Sequence, residues 1–524
     1  MLRKVGILAA LSVLTSSCSQ ITGPAPQFRH TRVLAQPFNP DSPRITILPS
    51  ARNELYREKE RIVVRTSRDT WIRVLNLRGA VVYDGPPGTL PRLPVGHYFV
   101  ETAKDKTQFA VLPSDYTGVS FLGTEANWDG SVAQLLQQIG PGWSRALYNG
   151  NTWHEVEPQR GVWDWQKLDT VVAGCQQSNS KLILTAWLRP TWLTEDTEFI
   201  PLYCQYLRQL CLRYGDQLYA IEIWNEPNSR ARWPDSPAEW LPFEKSAAEV
   251  PAAYLNVLSN AYLTIKGIDP HVKVYGAGWG TPITEGFIEQ LAALGGRRYL
   301  DGFTFHDYSM RDAPPDQSAL LPDGLRPRID QVVAKYRSLY SGRNLVMNEG
   351  GLYGRSALGI PNTQENGRSA LLSNLDWRRG MNRTIKFTVM YRAAGVQAVI
   401  AHVLTNWAND PGRNNEVLGW EYGNRGPHPK TTAFLMTGYR LNGARLTAKR
   451  IIDDKVFLYE WELANGRKLL FAWCTEGHTV TWRPDEVLRP TDIFGSKIQG
   501  HSLGEEPLLF SDITVETFAK AIGR

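Results

Sequence analysis

The chain has 524 residues, 42% of them hydrophobic and 21% charged, which excludes a disordered chain and a single small module. Its 58 basic and 52 acidic side chains leave a net charge of only +6. The basic residues form no run of the kind that tracks phosphates or an anionic membrane, so no nucleic acid partner is expected. The surplus lies in aromatics: 18 Trp and 21 Tyr are more than a core needs, because these large rings carry a polar atom that wants a partner when buried.

Arg3 and Lys4 precede an apolar run at 5–14, followed by small residues and Cys18, the order of a secretory signal. That run is too short to span a bilayer as a helix. Cys18 directly after small residues resembles a bacterial lipoprotein processing site, whose Cys is acylated, although Thr15 stands where that pattern prefers Leu or Val. The expectation is an exported chain, lipid-anchored to the cell envelope at Cys18 or secreted outright. Residues 1–17 read as the signal and 18–44, rich in Pro, Ser, Gln and Thr, as a tether. The other cysteines, Cys175, Cys204, Cys211 and Cys474, show neither CxxC nor zinc-like spacing. On one helix Cys204 and Cys211 would stand about 10 Å apart, too far to bridge. Either Cys175 pairs with one of them or all four remain thiols.

Residues 45–113 carry short β-type runs at 61–66, 71–77, 80–83 and 96–102 separated by turn signals, and predict a small β-sandwich-like domain. The rhythm then changes. Over 114–445, eight apolar runs, at 118–123, 143–149, 182–187, 219–225, 272–277, 302–306, 344–348 and 397–404, alternate with amphipathic stretches such as 165–175, 202–214, 247–268, 329–340 and 430–441. This spells an α/β fold, a (β/α)8 TIM barrel. An open doubly wound sheet would also alternate, but Gly276, Gly278 and Gly280 miss the GxGxxG spacing. In 446–524 strand patterns at 450–452, 456–461, 468–473, 479–482 and 507–510 return without helices, which predicts a second β-sandwich-like domain.

The chemistry of such a barrel sits at the C-terminal ends of its strands. Two of the runs close in the same way: I-E-I-W-N-E-P at 221–227, on the fourth strand, and L-V-M-N-E-G at 345–350, on the seventh. Strands three apart in a ring of eight face each other across the mouth. They would hold two carboxylates with a substrate bond between them, one to protonate a leaving oxygen and one to stabilise or attack an anomeric carbon. Asn-Glu-Pro alone is more often a turn that opens a helix; the second Glu on the facing strand is what raises it above that.

In these motifs the sequence resembles the retaining glycoside hydrolases of the large clan built on this barrel, clan A, over residues 118–443. W-N-E-P-N at 224–228 resembles the Asn-Glu that closes strand four in these enzymes, and N-E-G at 348–350 the close of strand seven. W-H-E-V-E-P-Q-R-G-V-W-D-W at 153–165 is similar to their segment after strand two, and Arg145 matches their active-site Arg. H-D-Y at 306–308 resembles the His-x-Tyr that closes strand six, Trp407 the Trp that floors the subsite of the cleaved sugar, and G-N-R-G-P-H-P-K at 423–430 the way these barrels finish. The resemblance implies that Glu226 is the acid/base, Glu349 the nucleophile and Asn225 a donor to the sugar 2-hydroxyl, with Arg145, His306, Tyr308 and Trp407 binding substrate. It implies hydrolysis of β O-glycosidic bonds in a polysaccharide or oligosaccharide by double displacement, without cofactor. No metal is expected either, since the nine His show no His-x-His spacing. The chemistry asks that Glu226 be protonated near neutral pH, through low solvation and the charge of Glu349, and that Glu349 stay ionised, supported by Tyr308 and Arg145.

The sequence also departs from that pattern. Trp187, followed by Arg189, Pro190, Thr191 and Trp192, stands near where many members carry a His closing strand three, and reads as part of the subsite wall. Strict alternation puts Glu222, Trp224 and Glu226 on one face and Asn225 on the other, so Asn225 joins the site only if the strand end twists or bulges. Glu125, Asn127 and Trp128 line either the cleft or a surface loop. Trp153, Trp192, Trp233, Trp279 and Trp420 are candidate sugar platforms. The alternative function is a surface lipoprotein that binds glycan on a degenerate barrel without cleaving it, which two intact Glu positions disfavour.

Overall fold

The computed structural model describes residues 45–48, 54–67, 69–103, 105–125, 130–147, 150, 152–227, 241, 249–279, 286–308, 314–321, 324–326, 328–351, 377–402, 426–483 and 488–524. Eight parallel strands close into a barrel. In chain order they are Val119–Glu125, Pro141–Ala146, Lys181–Ala186, Ala220–Ile223, Lys273–Trp279, Gly302–Asp307, Asn344–Gly350 and Ala398–His402, strands one to eight below. Each falls on an apolar run read from the sequence. They are apolar on both faces because both faces are covered. Outward residues such as Leu182, Leu184, Ile221, Ile223, Phe303, Phe305, Leu345 and Met347 pack beneath the helices. Inward residues Trp143, Ile183, Ala220, Tyr275, Val346, Ala398 and Ile400 fill the barrel interior.

The five amphipathic stretches form helices Gln166–Gln177, Phe199–Tyr214, Val250–Ile268, Ile329–Leu339 and Pro429–Leu441. Gly130–Ile139, Phe287–Ala293 and Trp377–Ala393 are further helices that periodicity did not mark. In the last of these every residue from Gly380 to Tyr391 is buried, Arg383 and Lys386 included, so its polar residues do not mark a solvent face. Two tyrosines from the helical layer pin the strand ends that matter most: Tyr203 donates to the Ala186 carbonyl at 2.6 Å and Tyr254 to the Ile223 carbonyl at 2.9 Å.

Separate sheets flank the barrel. The N-terminal one has five strands, in the order Leu55–Arg57, Lys106–Leu112, Gly96–Glu101, Ile72–Asn76 and Val81–Gly85, beside the pair Ile45–Leu48 and Val63–Thr66. Alternation splits its faces: Leu77, Phe99 and Leu112 join the core shared with the barrel, whereas Tyr98, Val100, Phe109 and Val111 build a core of their own. The C-terminal sheet, Arg445–Ile452, Val456–Glu462, Lys468–Cys474 and Leu508–Ser511, repeats the device. Phe457, Tyr459, Trp461, Phe471 and Trp473 face the shared core, while Leu458, Leu470, Ala472 and Cys474 face the other way. That second face is covered by the strand pair Val480–Thr481 and Ser502–Leu503 and by a helix, Val515–Ala521. The helix corrects the expectation of a helix-free C-terminal region. Its Thr514 N-cap accepts from the Thr517 amide, and Val515, Phe518 and Ala519 are buried, a pattern too short to register as a period.

Polar contacts tie the pieces together. Lys386, on Trp377–Ala393, reaches Asp316 at 3.0 Å, and the Trp473 indole donates to the same carboxylate at 2.9 Å. Arg78 of the N-terminal sheet reaches Glu506 at 2.6 Å. Cys175, Cys204, Cys211 and Cys474 are all free. Residues 1–44, with the expected signal, Cys18 and tether, lie outside the described residues; among those described, no helix is long and apolar enough to cross a membrane.

Candidate active site

The fourth strand ends in an unusual backbone. Regular pairing stops at Ile223, and Trp224 and Glu226 then both adopt positive φ, 67° and 41°. Left-handed conformations in non-glycine residues are strained, at about 1–3 kcal/mol each, and persist only where the surroundings hold them. Here the Trp224 amide donates to the Ala186 carbonyl at 3.1 Å and the Glu226 amide to the Gly278 carbonyl at 3.0 Å. Gly278 is itself at φ +39°, and a Cβ there would meet Glu222 Oε1 at 3.2 Å. The twist resolves the alternation problem. Asn225 turns inward beside Glu226, and its Oδ1 accepts from Arg145 at 2.7 Å.

Strand seven makes a comparable adjustment. Its register with strand six shifts by one residue, from Phe305 opposite Met347 to His306 opposite Glu349. Both Asn348 and Glu349 can then serve the site: Asn348 donates to Glu222 Oε1 at 2.6 Å, and Glu349 accepts from the Tyr308 hydroxyl at 2.7 Å. H-D-Y at 306–308 divides by alternation. His306 and Tyr308 face the site, and Asp307 accepts from Tyr391 on the helix behind.

Arg145 is the hub. It is fully buried on strand two, and its guanidinium reaches Glu222 at 2.8 Å, Glu349 at 2.5 Å and Glu125 at 3.4 Å in addition to Asn225. A planar fork with five donors suits several acceptors at once. His306 bridges the two carboxylates of interest: Nδ1 is 3.0 Å from Glu226 Oε1 and Nε2 is 3.5 Å from Glu349 Oε2. Glu226, His306 and Glu349 each place one atom so that all three lie within 4.8 Å of one another.

The electrostatics separate the groups. Burial would raise the Glu349 carboxyl, but the imidazoles of His306 and His402, the Arg145 guanidinium and the Tyr308 hydroxyl outweigh it and hold the group well below the usual carboxylate range. Burial would lower His402, yet Glu125 and Glu349 beside it push it up to about 9. His402 is therefore a cation at neutral pH, with Nδ1 on the Glu125 carboxylate.

Two triads have the spacing of a metal site, Glu125–Glu349–His402 and Glu226–His306–Glu349. Neither has the chemistry of one. Glu349, common to both, is already shared between Arg145 and Tyr308, and Glu125 is shared between Arg145 and His402. The arrangement suits proton transfer and nucleophilic attack instead.

The structure thus brings together Glu226, Glu349, Arg145, Asn225, His306 and Tyr308. Trp187 it places elsewhere: 1% exposed, its indole donates to the Leu147 carbonyl at 2.7 Å and its ring packs in the shared core, so it backs the site and offers no free face. Trp153 is likewise buried, stacked on Tyr206 with centroids 5.6 Å apart. Its neighbour Trp192 donates to the Glu157 carbonyl at 2.7 Å. Trp407, Trp233, Trp420, Asn127 and Trp128 lie outside the described residues, as does the side chain of Trp279. Glu125, left between cleft and surface loop by the sequence, lines the site, and Glu222, Asn348 and His402 belong to it without having been assigned. His402 and Glu125 carried the same signal as Glu226 and Glu349, a polar residue closing an apolar strand, and the rule that found one pair would have found the other.

No protein-family model matches the chain, and no curated protein matches it in sequence. Its structure is similar to that of a family 39 glycoside hydrolase from the gut symbiont Bacteroides cellulosilyticus WH2, with a TM-score of 0.65 and 15% identity over 88% of this chain and 98% of that one. Weaker likenesses include the GH39 enzyme from Xanthomonas axonopodis pv. citri, with a TM-score of 0.46 and 14% identity over 75% of this chain and 93% of that one. Another is a monomeric beta-xylosidase from Caulobacter crescentus CB15, with a TM-score of 0.43 and 17% identity over 71% and 78%. The fold is the (β/α)8 barrel with flanking β domains that the sequence pattern predicted, and it is shared with that family 39 glycoside hydrolase.

Proposed function

We propose that the protein is a retaining glycoside hydrolase that cleaves β O-glycosidic bonds in a polysaccharide or oligosaccharide, with Glu226 as acid/base and Glu349 as nucleophile. The observation that carries this reading is the pair of strand-end carboxylates, with one oxygen of each within 4.8 Å of the other and His306 between them. Retaining enzymes hold their carboxyl groups roughly 5–5.5 Å apart, whereas inverting ones leave about 6.5–9.5 Å for a water. In the first step Glu349, kept ionised by its cationic surroundings, attacks the anomeric carbon while Glu226 gives its proton to the leaving oxygen. In the second, Glu226 takes a proton from water as that water displaces Glu349. Arg145 orients Glu349 and Asn225 together, so the group meant for the 2-hydroxyl and the nucleophile are held by one rigid fork. The lipoprotein-like N-terminus supports a place at the cell envelope, either anchored through Cys18 or secreted.

The test is incubation with aryl β-glycosides and polysaccharides, with product anomers followed by proton NMR. Cleavage with a first-formed product of retained configuration is expected. An inverted first product overturns double displacement, and failure to cleave any member of the panel favours a glycan binder.

A further inference from the structure

Resting on the glycosidase reading, we infer that Glu125 and His402 form an ion-paired dyad that fixes a hydrogen-bond donor beside the nucleophile, and that this donor selects a hydroxyl of a neutral sugar over the carboxylate of an acidic one. Neither residue belongs to the proton-transfer machinery proposed above. They close strands one and eight, which pair directly, with His402 opposite Glu125 in the register. Glu125 is 2% exposed and grips His402 through Nδ1 while its other oxygen lies 3.4 Å from Arg145.

Three features make this more than a buried ion pair. The imidazole has a second nitrogen, and among the described residues no hydrogen bond reaches it, although the His402 side chain is 19% exposed. One His402 nitrogen lies within 4.8 Å of an oxygen of Glu349, so the ring borders the place where an anomeric carbon must sit. The ring also meets Tyr308 edge to face, with centroids 6.1 Å apart, and Tyr308 is the donor to Glu349. A held cation with one donor committed and the other uncommitted among the described residues, beside the nucleophile, is suited to a substrate oxygen.

The charges around it decide which oxygen. Glu125 on strand one, Arg145 on strand two, Tyr308 after strand six and Glu349 on strand seven all face His402, and Glu222 lies behind Arg145. The cations Arg145 and His402 stand against the carboxylates Glu125, Glu222 and Glu349. Among the described residues these charges leave no positive excess to draw in a sugar carboxylate, and the acceptor that fits them is a neutral hydroxyl.

Two measurements on the full chain test this. Imidazole nitrogen NMR should find His402 titrating near 9, in line with its charged neighbours, and E125Q should bring that midpoint down by at least one pH unit. An unraised midpoint in the wild type overturns the dyad whatever the protein cleaves. Kinetics are then compared for p-nitrophenyl β-D-xyloside, β-D-glucoside, β-D-galactoside and β-D-glucuronide. The best neutral glycoside should exceed the glucuronide in kcat/KM by roughly 100-fold. On it, H402L should lose roughly 10- to 100-fold, as expected for a charged hydrogen bond, and H402Q, which keeps an N–H donor, should recover part of that loss. H402L within twofold of the wild type, or a preferred glucuronide, overturns the donor role. If the wild type cleaves none of the four or any wider panel member, the glycosidase reading falls and the donor role with it, while the NMR titration still decides the ion pair.

Discussion

At one mouth of the barrel Trp143, Ile183, Ala220, Val346 and Ile400 fill the interior; two residues further along the same strands stand Arg145, Thr185, Glu222, Asn348 and His402. A single pleat repeat separates an apolar plug from a charged network. The N-terminal layer is closed by rings and aliphatic groups and by a polar rim of Tyr219, Lys273, Tyr275 and Gln397, in which each group has a partner. The C-terminal layer gathers buried charges that are balanced only as a set. Folding is served by the first, and the second is tolerated because the first exists.

The comparison is broken most severely at Glu349. E349Q should lower turnover of any cleaved aryl glycoside by roughly 10⁴-fold, while equilibrium binding of the released sugar persists, because the amide keeps the shape and loses the nucleophile. Its melting temperature at neutral pH should fall, since the variant loses the ionised partner of Arg145, but the fold should persist because Arg145 retains Glu222 and Glu125. Unchanged hydrolysis would remove Glu349 from the mechanism.

At the other mouth the opposite pattern is expected. W143A deletes a ring that is 1% exposed at the centre of the plug, and should destabilise the protein by about 3–5 kcal/mol in urea titrations. The kcat of the molecules that remain folded should change less than about twofold, because no atom of Trp143 is part of the charged layer. A large drop in kcat at temperatures well below the transition would show that the two layers are not independent.

The two layers also differ in how legible they are. All eight strands could be read, because a parallel barrel strand is apolar on both faces and announces itself as a run. The pair Glu226 and Glu349 could be read because each closes such a run at a position where chemistry collects. Asn225 could be placed only conditionally: the positive φ values at Trp224 and Glu226 that turn it inward depend on the Ala186 and Gly278 carbonyls, supplied by other strands. The Trp surplus divides. Trp143, Trp153, Trp187, Trp224, Trp461 and Trp473 are among the largest fully buried side chains and serve packing, whereas Trp233, Trp407, Trp420 and the side chain of Trp279 lie outside the described residues. Composition counts rings and cannot tell which face is covered. The helix Trp377–Ala393 was missed for a related reason, since its polar residues Arg383 and Lys386 are buried and do not mark a solvent face.

A pH series sharpens the contrast further. His402 has its folded value raised from 6.5 to about 9, so its contribution to stability is complete below about 6.5 and is lost as pH rises through 9. Glu349, held low, contributes above its ordinary value of 4.5 and loses that contribution as pH falls. Urea midpoints for the wild type should therefore decline between pH 6.5 and 9.5 by an amount worth at most about 3 kcal/mol, and H402Q should flatten that decline. Trp143 itself does not titrate, so between pH 6.5 and 8 W143A should shift the curve down and keep the decline set by His402. An H402Q curve as steep as that of the wild type would mean that another group governs the alkaline side.

The smallest expected effect lies at the polar rim of the plug. Lys273 donates to the Tyr219 hydroxyl at 2.5 Å, with its ammonium 3.9 Å from the ring centroid, and Tyr219 in turn meets Trp143 edge to face at 4.7 Å. Burial would raise the Tyr219 phenol, but the Lys273 hydrogen bond and charge bring it below its ordinary value. K273M keeps most of the aliphatic stem and removes the charge, and should lower stability by about 0.5–1 kcal/mol, the size of a partly exposed cation–π contact. The Tyr219 phenol should then titrate at higher pH by ultraviolet absorbance, with glycosidase kinetics unaltered. Because Lys273 and Glu349 stand at opposite ends of the same barrel, a K273M variant that altered kcat would join the two mouths energetically. A variant that altered only the phenol would keep them apart.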